Sequence, residues 1–391
     1  MTAKTVDELL PAAMLMRFRA RAPVFDAENT FFAEDLAELR SSGYLAAPVP
    51  VAAGGASFSL EQLLHTQRRL AAHAPATALG VNMHLVWVQA ARFLHNRGDA
   101  RLDWVLRDAA AGELFAFGIS EAGNEAVLLD ACSTAKRDAR GYLISGTKIF
   151  TTLSPAWTRL GVHARCANDQ GDAHLVFGFV RRDGGEVAEG RIEHPGTWNP
   201  LGMRATQSWT TRLEGVRVSE ADIAATIEPF DGSDPLILAI FSSFSILTAA
   251  VYAGIADRAL ELAGEAANRP VFAPEGRTGH RLDDPDTAAR LTAAVLEHRA
   301  SLDALTILAR DVDAGRARED WFLALAAARN LVTDEARRAV DTAMRIVGAS
   351  GFQADSELAR LYRDVLAGLF HPSSSRALAR QVRGSLLDDP V

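Results

Sequence analysis

Hydroxyl-bearing residues stand at the ends of two apolar stretches in this 391-residue chain. FGISEAGNE, 117–125, runs from an apolar segment into a glycine-containing loop, and KIFTT, 148–152, closes the longer GYLISGTKIFTT. Backbone and hydroxyl groups at such ends, set beside Phe117, Ile119 and Phe150, offer a polar edge next to an apolar slot. A flat heteroaromatic group needs both. Far along the chain, LYRDVLAGLFHPSSSR, 361–376, carries His371 just before Pro372, and VNMHLVW carries His84. Histidine moves protons near neutral pH. Each feature also has a plainer reading. The Ser and Thr residues would then be exposed strand positions, His371 the end of a helix before proline, and His84 a core histidine on an apolar helix.

The elements that must position these groups follow from the texture of the chain, which changes twice. Residues 1–112 have helical spacing. In SLEQLLHTQRRLAAHAP the leucines recur on one helix face, and Ser59 with Gln62 has the spacing of a capping box. The next segment, ATALGVNMHLVWVQAARFLHNRG, is apolar nearly all round, which predicts a buried helix. Residues 113–228 turn to short β-type runs, LFAFGIS, GYLISGTKIFTT, RLGVHARC, HLVFGFVRR and WTTRLEGVRV, separated by Gly, Asp and Asn turns. They predict an antiparallel sandwich or barrel. Residues 229–391 return to helix over 235–268, 283–315, 319–347 and 355–386, which predicts a four-helix bundle. The fold class is therefore α+β: an N-terminal all-α domain, a middle β domain and a C-terminal bundle.

Composition narrows the function classes. A net charge of −8 argues against nucleic acid or an anionic membrane as partner. The run PLILAIFSSFSILTAA, 235–250, is shorter than a membrane span and reads as a buried bundle helix. Cys132 and Cys166 lack metal-ligand spacing and read as buried thiols of a cytosolic protein, so no metal is expected. The N-terminal segment carries acids and no long apolar core, unlike a signal peptide. A cytoplasmic protein is expected.

SEAG, GYLISGTKIFTT and LGMRATQS stand in the order of the acyl-CoA dehydrogenase superfamily of flavoproteins, which the chain resembles over nearly its whole length. RPVFA, 269–273, is similar to that family's Arg-x-x-Phe-Gly segment. RIVGASGF, 345–352, is similar to its Gly-Gly-x-Gly-Phe segment, and Tyr362, Arg363 and Asp364 to its Tyr-Arg-Asp. The resemblance implies FAD, with Phe117, Ile119, Ser120, Phe150, Thr151 and Thr152 along the flavin. It implies Arg269 and Phe272 toward the pyrophosphate of a neighbouring subunit's cofactor, and backbone approach at Gly348, Ala349 and Ser350. It implies substrate contacts at Asn124, Arg204, Tyr362 and Arg363, a homotetramer or homodimer, and oxidation of an acyl thioester at its α,β-bond with hydride transfer to flavin N5.

The departure falls on the base. The family's Glu-Gly-Thr is replaced by His371-Pro372-Ser373, and the alternative place for the base, early in the first bundle helix, has no acid either. Three readings stay open. The chain is a dehydrogenase with another base, His371 among the choices, passing electrons to an acceptor protein. Or it is a two-component flavin monooxygenase of the same fold, served by a flavin reductase and using FAD or FMN, with His371 and His84 as its histidines. Or it is a flavin-binding scaffold without catalysis.

Overall fold

A computed structural model describes residues 4–167, 173–183, 185–272, 278–372, 378–379 and 382–383. The first layer is helical: α1 (Val6–Leu9), α2 (Ala12–Glu28), α3 (Ala33–Ser42), α4 (Leu60–Ala71), α5 (Pro75–His95) and α6 (Asp103–Ala110). Ser59 caps α4 as its spacing predicts. The Gln62 N–H donates to Ser59 Oγ at 3.2 Å and the Ser59 N–H to Gln62 Oε1 at 3.0 Å. Helix α5 is buried along almost its whole length.

The middle layer is a nine-stranded sheet of β1 (Phe115–Gly118), β2 (Thr134–Asp138), β3 (Gly141–Thr151), β4 (Arg159–Ala167), β5 (Ala173–Asp183), β6 (Glu186–Val187), β7 (Arg191–Glu193), β8 (Trp209–Ser219) and β9 (Ile223–Ile227). It is mixed rather than wholly antiparallel. Strand β1 runs parallel to β4, with Phe117 opposite Gly161, and β2 meets β4 in parallel at Thr134 and Arg165. Strands β1 and β4 are joined by a long segment that contains the β2–β3 hairpin, and such a connection permits parallel pairing where a tight turn would not. At Gly161 a Cβ would lie 2.3 Å from the Trp87 ring, so β4 lies directly on the buried α5.

The last layer is α7 (Pro235–Ala267), α8 (Pro285–Asp313), α9 (Trp321–Val347) and the short α10 (Glu357–Val365). Helix α7 is longer than its apolar run suggests, and by length and composition it is enough to cross a membrane. Its apolar window is 89% buried inside the fold, so its surface is already satisfied by protein. Two of its serines bond back to the helix, Ser242 and Ser243 Oγ donating to the Ala239 carbonyl at 3.3 and 2.7 Å, whereas Ser245 Oγ has no hydrogen-bond partner among the described residues. The fourth bundle helix is shorter than the sequence predicts. It gives way to a 3-10 turn, Leu366–Phe370, and His371 is extended at φ −70° and ψ 147°. A residue before proline is barred from helical backbone. Most of the predicted helix past Pro372 lies outside the described residues.

One buried charge cluster ties both helical layers together. His298 on α8 faces Glu335 of α9 at 2.9 Å through Nδ1, and Asp257 of α7 at 2.9 Å through Nε2. Arg68 of α4 grips Asp257 at 2.5 and 2.6 Å. Burial by itself would discharge the imidazole, but the hydrogen bonds from Asp257 and Glu335 outweigh it and raise its pKa to about 9. Because the folded-state pKa lies above the ordinary value of 6.5, this stabilisation is full below about pH 6.5 and is lost as pH rises through about 9. The melting temperature of His298→Gln is therefore expected to lie well below that of the parent at pH 7, with the gap closing by pH 10. A gap that stays constant over that range contradicts the assignment.

Candidate active site

Strand β1 ends at Gly118, and the chain turns through Ile119 and Ser120 to Glu121. That carboxylate is buried and pairs with Lys148 of β3 at 2.8 Å, the ammonium being buried as well. The Cys132 and Ser133 N–H groups donate to Glu121 at 2.6 and 2.8 Å. Lys148 also donates to the His163 carbonyl at 2.7 Å and lies 3.3 Å from His163 Nδ1. Burial would raise the Glu121 pKa, but Lys148 and the surrounding donors hold it down at about 2. Burial pulls Lys148 to about 8 against the attraction of Glu121. Burial, with Lys148 adding to it, pushes His163 to about 4, leaving it neutral. Since the Ile149 N–H donates to the Ser120 carbonyl at 2.9 Å, the end of β1 is fastened to the end of β3.

The regular pairing of β3 with β8 breaks between Lys148 and Thr151. A bulge of this kind re-aims side chains at the rim of a sheet. Phe150 takes φ +54° and leaves its ring 53% exposed. Leu153, Met203 and Gln207 also have positive φ. Phe150 and Met203 line the cavity, and left-handed backbone in non-glycine residues is the kind of strain that functional sites carry. The facing loop is held from both sides. A Cβ on Gly202 would lie 2.2 Å from the Arg363 carbonyl, so only glycine lets LGMR lie on α10. The Met203 N–H donates to Asp364 at 2.5 Å. Burial raises that carboxyl to about 6.

These elements enclose a cavity of about 180 Å³. Leu79 and Met83 come from α5, Phe117 and Ser120 from the end of β1, Phe150 and Thr152 from the end of β3, and Phe244 from α7. Leu366, Phe370 and His371 come from the 3-10 turn and its exit. Three hydroxyls form one edge: Ser208 Oγ lies 2.7 Å from Thr152 Oγ1 and 2.8 Å from Thr206 Oγ1. Among the described residues no Asp or Glu lines this cavity. His371 Nε2 lies 2.6 Å from the Tyr252 hydroxyl. Burial, reinforced by nearby Arg329, lowers the His371 pKa to about 3, so the ring is neutral. A second cavity of 340 Å³, walled by Ile237, Ile240, Phe241 and Phe322, shares Phe117, Phe244 and Pro372 with the first. The Phe117 and Phe244 rings stack between them, 5.6 Å apart. On the far side of Phe150 lies an open depression of 540 Å³ that includes His194 and Trp209. Flat apolar walls, a hydroxyl edge and a bulge that releases backbone from the ladder fit a tricyclic heteroaromatic ring.

Of the residues singled out from the sequence, the fold brings Phe117, Ser120, Phe150, Thr152, Arg363 and His371 to the cavity. Arg363 is already engaged by Asp26. Ile119 and Thr151 are buried behind the wall, and Thr151 Oγ1 has no hydrogen-bond partner among the described residues. His84 stands apart. Its Nδ1 accepts from the Phe115 N–H at 3.1 Å and its Nε2 meets the Leu45 carbonyl at 2.9 Å. Both nitrogens are satisfied and burial lowers its pKa to about 4, so it ties α5 to its neighbours and has no free nitrogen for chemistry. Asn124 shapes its own loop through Glu121, Asp130, Ala126 and Val127. Arg204 binds the Asp26 and Pro200 carbonyls and Asn199, and Tyr362 packs against the core. Neither lines the cavity. Arg269 is exposed after α7, Phe272 lies in the ribbon Pro270–Phe272, and Gly348, Ala349 and Ser350 lie on the 3-10 turn Gly348–Phe352, all away from it. Ala273 and Ser373 lie outside the described residues. Sequence reasoning missed Glu121, Lys148 and Tyr252. Lys148 carried a signal, since it shares the inward face of β3 with Tyr142 and Ile144, where a lysine needs a partner. Tyr252 carried none.

The family described as "Acyl-CoA dehydrogenase, C-terminal domain" matches residues 235–370. A putative acyl-CoA dehydrogenase of Bacillus subtilis (strain 168), YdbM, is 29% identical, the match covering 93% of this chain and 92% of that one. L-evernosamine nitrososynthase of Micromonospora sp. is 29% identical over 94% of this chain and 86% of its own. Among solved structures, FMN-bound TdsC of Paenibacillus sp. A11-2, a dibenzothiophene monooxygenase, superposes with a TM-score of 0.82 at 20% identity, covering 98% of this chain and 97% of that one. At that identity the likeness is one of fold.

Replacing one member of a buried ion pair strands the other. Lys148→Met is expected to lower unfolding stability by about 3–5 kcal/mol, read from the denaturant midpoint. Adding Glu121→Gln to that variant should recover part of the loss, because no unpaired charge is then left inside. A double variant less stable than Lys148→Met contradicts the pairing.

Proposed function

We propose that this chain, whose C-terminal helices match the acyl-CoA dehydrogenase family and which is 29% identical to YdbM over nearly its full length, is a flavin-dependent oxidoreductase, and within that class a monooxygenase that uses reduced FMN or FAD and molecular oxygen. The observation that carries the choice is the wall of the cavity. Dehydrogenation of an acyl thioester needs a base near the α-carbon with a pKa raised by burial. No carboxylate lines the cavity among the described residues, and the histidine in the base's place is neutral and tied to a phenol. A ring whose conjugate acid has a pKa of about 3 is a poor proton acceptor. It serves better as a fixed hydrogen-bonding group.

The cofactor, when bound, supplies the electrons that reduce one atom of O2 to water while the other enters the substrate. The chain's own residues do the rest. Phe117, Phe150 and Phe244 exclude water, Thr152 and Ser208 present hydroxyls along the ring edge, and His371 offers a polar contact beside Phe244 and Phe370. Arg269, Phe272, Gly348, Ala349 and Ser350, remote from the cavity within one chain, are assigned to the far end of an FAD held by a second copy of the chain, in a dimer or tetramer. A flavin reductase would be the partner protein.

Dehydrogenation of an acyl thioester is the second reading, favoured by the 29% identity to YdbM over nearly the full chain and by the LGMRATQS loop. One pair of measurements separates the two. Protein supplied with chemically reduced flavin and 18O2 is expected to place labelled oxygen in a member of a panel of small apolar molecules. Anaerobic mixing of flavin-loaded protein with acyl-CoAs of graded length is expected to leave the flavin spectrum unchanged. Bleaching by any acyl-CoA would reverse the choice. His371→Gln is expected to lower turnover about a hundredfold with flavin affinity retained, and unchanged turnover removes His371 from the chemistry.

A further inference from the structure

The His371 side chain is gripped more closely than a helix terminator requires. The ring makes edge contacts with two residues of α7, Phe244 at 6.0 Å and Tyr252 at 5.5 Å between centroids. Its Nε2 meets the Tyr252 hydroxyl at 2.6 Å, and Tyr252 is fully buried. The turn Leu366–Phe370 can lie this close because residue 368 is glycine. A Cβ there would stand 2.2 Å from Thr333 Cγ2 and 3.1 Å from the Tyr252 ring. Backbone, α7 and α9 thus converge on one hydrogen bond beneath the cavity floor.

That bond has a direction. Burial pushes the Tyr252 phenol strongly upward, so it keeps its proton. Its only hydrogen-bond partner among the described residues is His371 Nε2. Were Nε2 to carry the ring proton, the phenolic O–H would be left buried without an acceptor, which is costly. With the phenol donating, Nε2 is the acceptor and the ring proton sits on Nδ1. Nδ1 has no partner among the described residues, while the side chain lines the cavity.

We infer that Tyr252 is a positioning residue: it donates to His371 Nε2 and so fixes the Nδ1–H tautomer, presenting the cavity with a neutral hydrogen-bond donor instead of a base. What that donor does in turnover rests on the monooxygenase reading; the tautomer itself does not. A base would need its unprotonated nitrogen free to accept a proton, and the Tyr252 hydroxyl already occupies that nitrogen.

The test is 15N NMR of the full-length, histidine-labelled protein, with His371 assigned by loss of its signals in His371→Gln. The wild-type spectrum is expected to show His371 protonated on Nδ1 and unprotonated on Nε2. In Tyr252→Phe the preference should give way to a mixture of tautomers, with flavin affinity unchanged and turnover lower by about tenfold. A wild-type ring protonated on Nε2 overturns the proposal, as does a Tyr252→Phe spectrum identical to wild type. The wild-type spectrum decides even if the variant does not fold. If the tautomer is as proposed but acyl-CoA bleaches the flavin, Tyr252 keeps its positioning role and the oxygenation reading alone fails.

Discussion

A carboxylate and an ammonium with almost no access to water hold this site open. Glu121 and Lys148 lie on the two strand ends whose hydroxyls and aromatic rings make the cavity's edge, and each would be costly inside without the other. Replaced by apolar residues, the same positions would pack adequately but would not dictate which strand ends meet. Ser120 accepts from Ile149 only in the register that the ion pair sets. Phe150 then falls in the bulge, with its backbone in a strained region and its ring left in the open. The strain is tolerable because the surrounding bonds over-determine it.

The bundle contributes the opposite wall, and it does so by closeness. Gly202 lets the LGMR loop touch the backbone of α10, Asp364 receives the Met203 N–H, and Gly368 lets the last turn settle on Tyr252 and Thr333. Charge at the cavity is paired. Arg363, on the lining, is held by Asp26, while Arg204 binds the Asp26 and Pro200 carbonyls and Glu121 binds Lys148. Apart from Arg363, the inner surface is apolar or hydroxyl-bearing, with a single neutral imidazole. Such a lining suits a bound ring system and an uncharged partner better than it suits proton abstraction.

The parts legible from sequence were those with local signals. The Ser59 cap, the all-apolar α5 and the LGMRATQS and KIFTT loops declare themselves within a dozen residues, and the strand ends they predict do line the cavity. Strand β2, TAKRD, was not legible, because only Ala135 faces the interior and its pattern is that of an exposed ribbon. The parallel placement of β1 beside β4 depends on the long connection between them and has no local pattern. The last helix stops because of Pro372 and Gly368, whose effects outweigh the helical spacing around them. His371 was legible as a position but not as a chemical group. Its partner lies 119 residues away on a helix where tyrosine reads as one more apolar residue. Arg204 and Asn124 looked like ligand contacts because they sit in the right loops, yet Asn124 is bonded within its own loop and Arg204 to Asn199, Pro200 and the Asp26 carbonyl of α2.

The most direct measurement is a crystal structure of the protein soaked with FMN or FAD. Electron density for the isoalloxazine is expected between Phe150 and Thr152 on one side and Phe244 and His371 on the other, with the hydroxyls of Thr152 and Ser208 along its edge. Flavin density elsewhere in the molecule, with this cavity filled only by water, would contradict it.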